Sequence, residues 1–234
     1  MIKLTKQDGT TKNNTVWGEG VAHSVPPCEC PKMCSGDVLH AYTSLNLAFL
    51  MNPIHAGISD PRVFEAEGDV VVSDSLKVGC FTLTTTKEIS APAWVGSADE
   101  NRVRVLFAVL CAESVLHLFE EKHPNDDRPR KAIEAARNYI GTNEYDAAYA
   151  DAAYAAYAAG AAGAAAYATA AYATNAAYAA VYAVYAVDAA DAAYVAAAAY
   201  AADATNAAAA ADAAGIKINF DELADTAVNT IMKN

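Results

Sequence analysis

Apolar and polar residues alternate over several short stretches in the first part of the chain, and this pattern predicts strands. The segment IKLT near the start precedes Asp8-Gly9, a dipeptide typical of tight turns. The segments RVFEAE, VVV and VGCFTLT follow later, with polar turns between them. HAYTSLNLAFLM, residues 40–51, has the helical period instead, with Leu45, Phe49 and Leu50 at helical spacing. We predict a short helix there that ends before Pro53.

The pattern changes to a helical period near residue 97. Ser97 and Glu100 have the spacing of a capping box at a helix N-terminus. Two apolar rows follow that together cover more than half of the helix surface, so we predict a central, largely buried helix. The rows are Val105, Val109, Ala112, Leu116 and Phe119, and Phe107, Cys111, Val115 and Leu118. Asp126 or Asp127 is placed to cap a second helix, which Gly141 would end.

Alanine and tyrosine dominate the next stretch, in which 42 of the 68 residues from Ala147 to Ala214 are Ala. Ala has the highest helix propensity, and Asn is a favoured N-cap residue. Thr-Asn pairs recur at 142–143, 174–175 and 205–206. Each interval is therefore either a helical hairpin or one long helix with a soft centre.

These elements place the chain in the α+β class. We predict a small mixed α/β domain at residues 1–96 and an all-helical, Ala/Tyr-rich domain at residues 97–234. The second domain would be a helical bundle or an array of helical hairpins. Asn219 and Glu222 form another capping box, which would begin the helix that seals it.

The charge is strongly negative and unevenly placed. The net charge is −12, and residues 138–216 contain no Lys or Arg and seven acidic residues, among them Asp188 and Asp191. Such a surface repels nucleic acid phosphates and favours a basic partner. The acids can also simply keep an Ala-rich surface soluble. We therefore expect no nucleic acid partner and leave both roles of the acids open.

The Ala/Tyr stretch is long enough to cross a membrane, but it lacks the strongly apolar residues and the basic flanks of a spanning helix. The first residues have no apolar core of a signal peptide. The five cysteines are an odd number, which fits a reducing compartment better than a disulfide framework. We expect a cytoplasmic protein without a membrane segment.

Cys28, Cys30 and Cys34 cluster in the segment CECPKMC, and His40 follows shortly after. Thiolate and imidazole ligands suit zinc, but the spacing is not that of the common two-residue knuckle. We predict loop cysteines, no metal site and no cofactor.

Two polar groups in the helical half could carry chemistry. Glu113, His117 and Glu120 lie on one helical edge, where they could run acid–base catalysis or be a solvated edge. Arg128 and Arg130 form part of the only compact basic cluster before the long stretch without cations. They either pair with acids such as Glu120 and Glu121 or contact a ligand or partner.

The Tyr side chains offer a third candidate surface. Tyr178, Tyr182 and Tyr185 form a stripe at helical spacing, and Asp188 and Asp191 follow it. The stripe either fills the Ala core or is exposed, and Tyr is enriched in protein interfaces. We predict partner binding at Tyr178, Tyr182, Tyr185, Asp188, Asp191, Arg128 and Arg130, and we predict no catalytic residues.

The segment LFAVLCAESVLHLFEEKHPNDDRPRKAIEAARNY, with the Ala-rich helices after it, resembles a family of Ala-rich helical immunity-like proteins of bacteria over residues 103–214. That family's label rests on genomic association with toxins, so the resemblance implies binding to a partner protein. Cys34, Gly36, His40-Ala41 and the segment FEAEGDVVVSDSLKVG resemble a phage and bacterial domain of unknown function over residues 15–95.

Three hypotheses follow for the function. The first is a non-enzymatic protein that neutralises a partner with a basic surface, as a phage-encoded inhibitor of a host defence system or as an immunity protein against a toxin. The second is a small-ligand, nucleotide-like binder or sponge that uses Tyr stacking and the two arginines. The third is an enzyme that uses Glu113 and His117. Formation of a homo-oligomer stays open.

The acidic stretch yields the first prediction. Asp188→Asn combined with Asp191→Asn should weaken partner binding, and binding of the unaltered chain should weaken markedly from low to high salt, because interfacial charges are screened. An affinity series across ionic strength measures both effects. Binding that is insensitive to salt and unchanged in the double variant would contradict the electrostatic role and leave the Tyr stripe as the contact.

Overall fold

The computed structural model describes residues 1–142, 204–205 and 207–233. The chain divides into two units, Met1–Val95 and Gly96–Asn234. The described part of the first unit is built mainly on β-sheets, and that of the second is helical. The predicted α+β class is therefore confirmed. The predicted Ala/Tyr hairpins lie outside the described residues.

Unit 1 contains seven strands and one α-helix. The strands are β1 (Ile2–Thr5), β2 (Val21–Ser24), β3 (Leu39–Ala41), β4 (Arg62–Glu67), β5 (Val70–Ser73), β6 (Val78–Cys80) and β7 (Thr82–Ile89). They form two antiparallel sheets, with the orders β1-β4-β7-β2 and β3-β6-β5. A single bridge between Ile2 and Tyr42 connects β1 to the residue after β3.

The core of unit 1 collects the inward-facing residues of both sheets. A cluster of buried side chains comprises Trp17, Ala41, Ala66, Val78, Cys80 and Leu83. The predicted alternation holds over residues 64–67 of β4, where Phe64 and Ala66 are buried and Glu65 and Glu67 are exposed. It fails at Val63, which is buried next to Phe64. A bulge between Glu65 and Ala66 shifts the register against β7.

The first helix differs from the prediction at both ends. Residues 39–41 pair as β3, and α1 spans Leu45–His55, with Ser44 as the N-cap that accepts a hydrogen bond from the Leu47 N–H at 3.3 Å. Pro53 lies inside the last turn of α1. The prediction that Pro53 ends the helix was wrong, because a proline so near the C-terminus removes one donor while the turn is held by other contacts.

Those contacts come from Asn52, which is buried. Its side-chain amide donates to the Ile58 carbonyl at 2.8 Å, and its oxygen accepts from the Ile58 N–H at 3.2 Å. The Ala56 and Gly57 amides also donate to the Asn52 carbonyl, at 3.0 and 2.7 Å. One residue therefore satisfies several polar groups at the end of α1.

The described part of unit 2 is organised around α2 (Glu100–Glu120), which packs against α3 (Arg128–Thr142) and α4 (Phe220–Met232). The predicted central helix is confirmed, because both apolar rows supply buried residues, such as Val109 and Val115. Residues 207–213 are also helical.

The predicted N-terminal cap is wrong for α2 and right for α4. The N-cap of α2 is Asp99, not Ser97. The Ser97 hydroxyl accepts from the Asp99 N–H at 3.2 Å and the Glu100 carboxylate from the Gly96 N–H at 2.6 Å, so these side chains order the turn before the helix. At α4 the predicted N-cap is confirmed, since Asn219 accepts from the Glu222 N–H at 3.2 Å, and the Glu222 carboxylate accepts from the Asn219 side-chain amide at 3.4 Å.

Asn52→Ala should lower the free energy of unfolding of unit 1 by about 2 kcal/mol, because it leaves the buried Ile58 N–H and C=O without partners. Both tryptophans of the chain, Trp17 and Trp94, lie in this unit. Urea unfolding followed by tryptophan fluorescence therefore reports the change.

Gln7→Ala is the matched control, because the exposed Gln7 amide also donates to a backbone carbonyl, that of Asp60, at 2.7 Å. It should change the unfolding free energy by no more than about 0.5 kcal/mol. Equal effects of the two substitutions would contradict the role of burial at Asn52.

Candidate functional site

The polar edge of α2 faces a matching edge of α3. On α2, Glu113, His117 and Glu120 are spaced by four and three residues; on α3, Arg130, Glu134 and Arg137 have the same spacing. Residues at this spacing lie on one face of a helix. Glu120 contacts Arg130, and Glu113 contacts Arg137, so the two edges meet in antiparallel order. We name the six residues the α2–α3 ladder.

The two outer rungs of the ladder are bidentate ion pairs. Arg130 donates from Nε and Nη2 to the two Glu120 oxygens at 2.8 and 2.7 Å. Arg137 donates in the same way to Glu113 at 2.6 and 2.5 Å. The paired carboxylates raise the pKa of both guanidinium groups. Such fork-to-fork pairs fix geometry as well as charge, so they set the register of α3 on α2.

The middle rung of the ladder is open. His117 and Glu134 are both exposed. Within the described residues, neither side chain makes a hydrogen bond or an ion pair. They border a surface groove of about 400 Å³, whose apolar floor is Leu116 and Ile133. The groove thus offers one imidazole and one carboxylate to a binding partner.

The ladder is better suited to binding than to acid–base catalysis. Both Glu113 carboxylate oxygens accept hydrogen bonds from the Arg137 guanidinium, so this carboxylate is already engaged within the protein. Arg130 and Glu120 are tied in the same way. Of the two residues that the enzyme hypothesis would use, Glu113 is therefore part of an ion pair and His117 is not.

The structure shows the ion-pair partners of the basic cluster within unit 2. Arg130 pairs with Glu120, which confirms the internal ion pair, whereas Glu121 is not its partner. Arg128 instead pairs with Asp126, donating from Nε to Oδ1 at 2.7 Å. Lys131 pairs with Asp127 at 2.9 Å. Both arginines that we predict to bind a partner thus already form an ion pair with a carboxylate of the same unit.

The remaining predicted partner-binding residues, Tyr178, Tyr182, Tyr185, Asp188 and Asp191, lie outside the described residues.

The cysteine loop of unit 1 carries its three thiols at the surface. Cys28, Cys30 and Cys34 are free and exposed. The His40 Nε2 accepts a hydrogen bond from the Cys34 N–H at 3.1 Å. Across the described ranges, the structure has no group of three or more His, Cys, Asp and Glu side chains placed to hold a metal ion. The absence of a zinc site stays a prediction.

Sequence reasoning missed a partly buried polar cluster in unit 1. The Lys77 ammonium lies 2.7 Å from an Asp74 oxygen and 3.5 Å from the His55 Nε2. Burial lowers the pKa of His55 to about 4, and the Lys77 charge adds to this effect. The imidazole is consequently neutral at physiological pH. His55 and Lys77 are far apart in sequence, so no local pattern indicates this cluster.

Comparison with known proteins gives one match. Residues 97–225 match the family model described as "Imm-5 like putative immunity protein", which includes α2, α3 and the start of α4. The resemblance of the helical half to immunity-like proteins is thereby confirmed. No curated protein and no solved structure matches the chain. In the described part of the chain, no helix is long and apolar enough to cross a membrane.

The Glu113–Arg137 rung should contribute a coupling free energy of about 0.2 to 1 kcal/mol, because it is bidentate but only partly shielded from water. A double-mutant cycle with Glu113→Gln and Arg137→Gln, measured by chemical unfolding, gives this value. The Asp127–Lys131 pair, with both side chains more than half exposed, is the control and should show no measurable coupling. Equal coupling in the two cycles would contradict the special role of the ladder.

Proposed function

Because the chain belongs to the Imm-5 like immunity protein family, we propose that it is a non-enzymatic protein that binds a partner protein and neutralises it. The observation that carries this proposal is the family match, which spans more than half of the chain. The partner class that fits best is a protein toxin. A phage-encoded inhibitor of a host defence protein would use the same kind of contact. In both settings the protein acts in the cytoplasm.

The α2–α3 ladder is the contact that we propose for the helical unit. All six ladder residues lie within the matched residues 97–225. The ion pairs of the two outer rungs are already formed, so a partner can bind without rearranging them. The open middle rung then offers Glu134 and His117 beside the apolar floor. A preformed groove of this kind loses little entropy when it is occupied.

The charges of the ladder favour a basic side chain from the partner. Three carboxylates face two guanidinium groups, and Glu134 is the carboxylate without an ion pair. A Lys or Arg could place its charge beside Glu134 and pack its aliphatic stem on Leu116 and Ile133. This groove agrees with the basic partner surface expected from the net charge of −12. Tyr178, Tyr182, Tyr185, Asp188 and Asp191 remain further candidates for the same interface.

The ion pairs of Arg128 and Arg130 argue against the alternative of a small, nucleotide-like ligand. Arg128 and Arg130 would have to release Asp126 and Glu120 before they could hold an anionic group. Each release would give up a bidentate interaction. The helical unit therefore favours a protein partner over a nucleotide-like ligand.

The proposal is tested in two steps. The full-length chain, tagged and incubated with lysate of its own host, should retain a partner that mass spectrometry identifies. Expression of that partner alone should arrest growth, and co-expression of the chain should restore it. Glu134→Lys should lower the affinity of the purified chain for this partner by about tenfold or more, because the substitution places a positive charge against the basic group of the partner.

Glu29→Lys is the matched control, since it makes the same charge change at an exposed acid of unit 1. It should leave the affinity unchanged. A partner whose toxicity persists during co-expression would overturn the proposed neutralisation. Restored growth with equal affinities of the two variants would instead retain the function and reject the groove as its contact.

A further inference from the structure

Unit 1 has an exposed strand edge that lies outside the matched family region. β5 is the last strand of the β3-β6-β5 sheet, and in the described residues only β6 pairs with it. Val70 and Val71 are exposed by 52% and 37%, which is unusual for neighbouring valines. The strand carries no Lys or Pro, the residues that commonly protect an edge from pairing.

The edge is held in place by its hairpin. Asp74 caps the turn between β5 and β6, accepting from the Leu76 and Lys77 N–H groups at 3.2 and 3.0 Å. Gly79 in β6 lets Val72 approach closely, since a Cβ there would lie 2.9 Å from a Val72 methyl carbon. The strand is therefore ordered before any partner binds, which lowers the entropic cost of adding another strand.

The surrounding charge decides which kind of strand fits. Glu65, Glu67 and Asp69 lead into β5, and all three are exposed. In the described part of the chain, none of them has an ion-pair partner within 4.0 Å. A second copy of β5 paired antiparallel over its full length would set Asp69 opposite Asp74 and bring the same acids together. Like charges opposite each other destabilise a strand pair, so self-pairing is disfavoured.

We propose that β5 is a docking edge for an extended, basic segment of a partner protein, which adds to the β3-β6-β5 sheet as a fourth strand. Backbone hydrogen bonds along Val70–Ser73 would hold the segment, and its Lys or Arg side chains would face the acids before β5. The valines would pack against apolar side chains of the same segment. β5 is only four residues long and has a bulge at Val71, which limits pairing to a short segment.

The test uses the full-length chain and a short peptide of alternating Lys and Val, labelled for fluorescence anisotropy. The peptide should bind with a Kd below about 1 mM and slow amide hydrogen exchange at residues 70–73. A peptide of alternating Lys and Pro has the same charge but cannot pair as a strand, and a peptide of alternating Glu and Val has the opposite charge. Both should bind at least about tenfold more weakly.

Val71→Lys should lower the affinity of the chain for the Lys-Val peptide by about tenfold, because the substitution places a positive charge on the docking edge, where it repels the lysines of the peptide. Val16→Lys is its control, since Val16 is 58% exposed and lies outside β5. Asp69→Asn removes one acid with little change in shape, so it should weaken binding even if Val71→Lys fails to fold.

Several results would overturn the proposal. They are absence of binding at about 1 mM peptide, equal binding of the Lys-Pro peptide, equal weakening by Val16→Lys, and exchange protection away from β5. Exchange protection of β5 in the chain alone, together with self-association, would identify a second copy as the occupant instead.

Discussion

Burial of α2 is the constraint on which the described part of unit 2 depends. Both faces of this helix carry large apolar side chains, including Phe107 and Phe119, so it cannot lie at a surface with one side in water. Cover must come from more than one direction, and α3 and α4 provide it. On the polar edge of α2, His117 is exposed and Glu113 and Glu120 are half-buried. The position of this edge is fixed by the apolar rows rather than by any requirement of chemistry.

The ladder follows from that constraint. Ile133 packs into the core from α3, and the residues beside it on the same helix must then lie along the polar edge of α2. Antiparallel packing aligns two series of equal spacing, so opposite charges meet at both ends. The two ion pairs contribute little to stability, because their side chains are partly exposed. Their effect is to fix the register, and in this register His117 and Glu134 line the same groove.

Local patterns predicted much of this architecture. The alternation in RVFEAE marks a real strand, and the two apolar rows mark a helix that is buried on both sides. Helix boundaries were harder to predict than the helices themselves, because a residue typical of N-caps, such as Ser97, can order the turn before a helix instead of capping it. The edge of Glu113, His117 and Glu120 was visible from helical periodicity. Pairing of Arg130 with Glu120 was among the alternatives that the sequence offered. Glu134 and Arg137 were not identified, although they continue the same spacing, because pairing the two series requires the antiparallel contact between helices.

The ion pairs of the ladder and the burial of His55 fit the proposed binding role better than a catalytic one. A catalytic carboxylate or imidazole needs a proton that it can exchange near neutral pH. Glu113 and Glu120 are instead engaged in bidentate ion pairs with guanidinium groups, and burial beside Lys77 lowers the pKa of His55 to about 4. Charged groups held in fixed positions provide a defined electrostatic pattern, which favours selective association with a complementary surface. The ladder and the β5 edge both present such a pattern, with acids beside apolar side chains. A partner that exploits either one needs basic residues spaced among apolar ones, in a helix groove contact for the ladder and in an extended strand for β5.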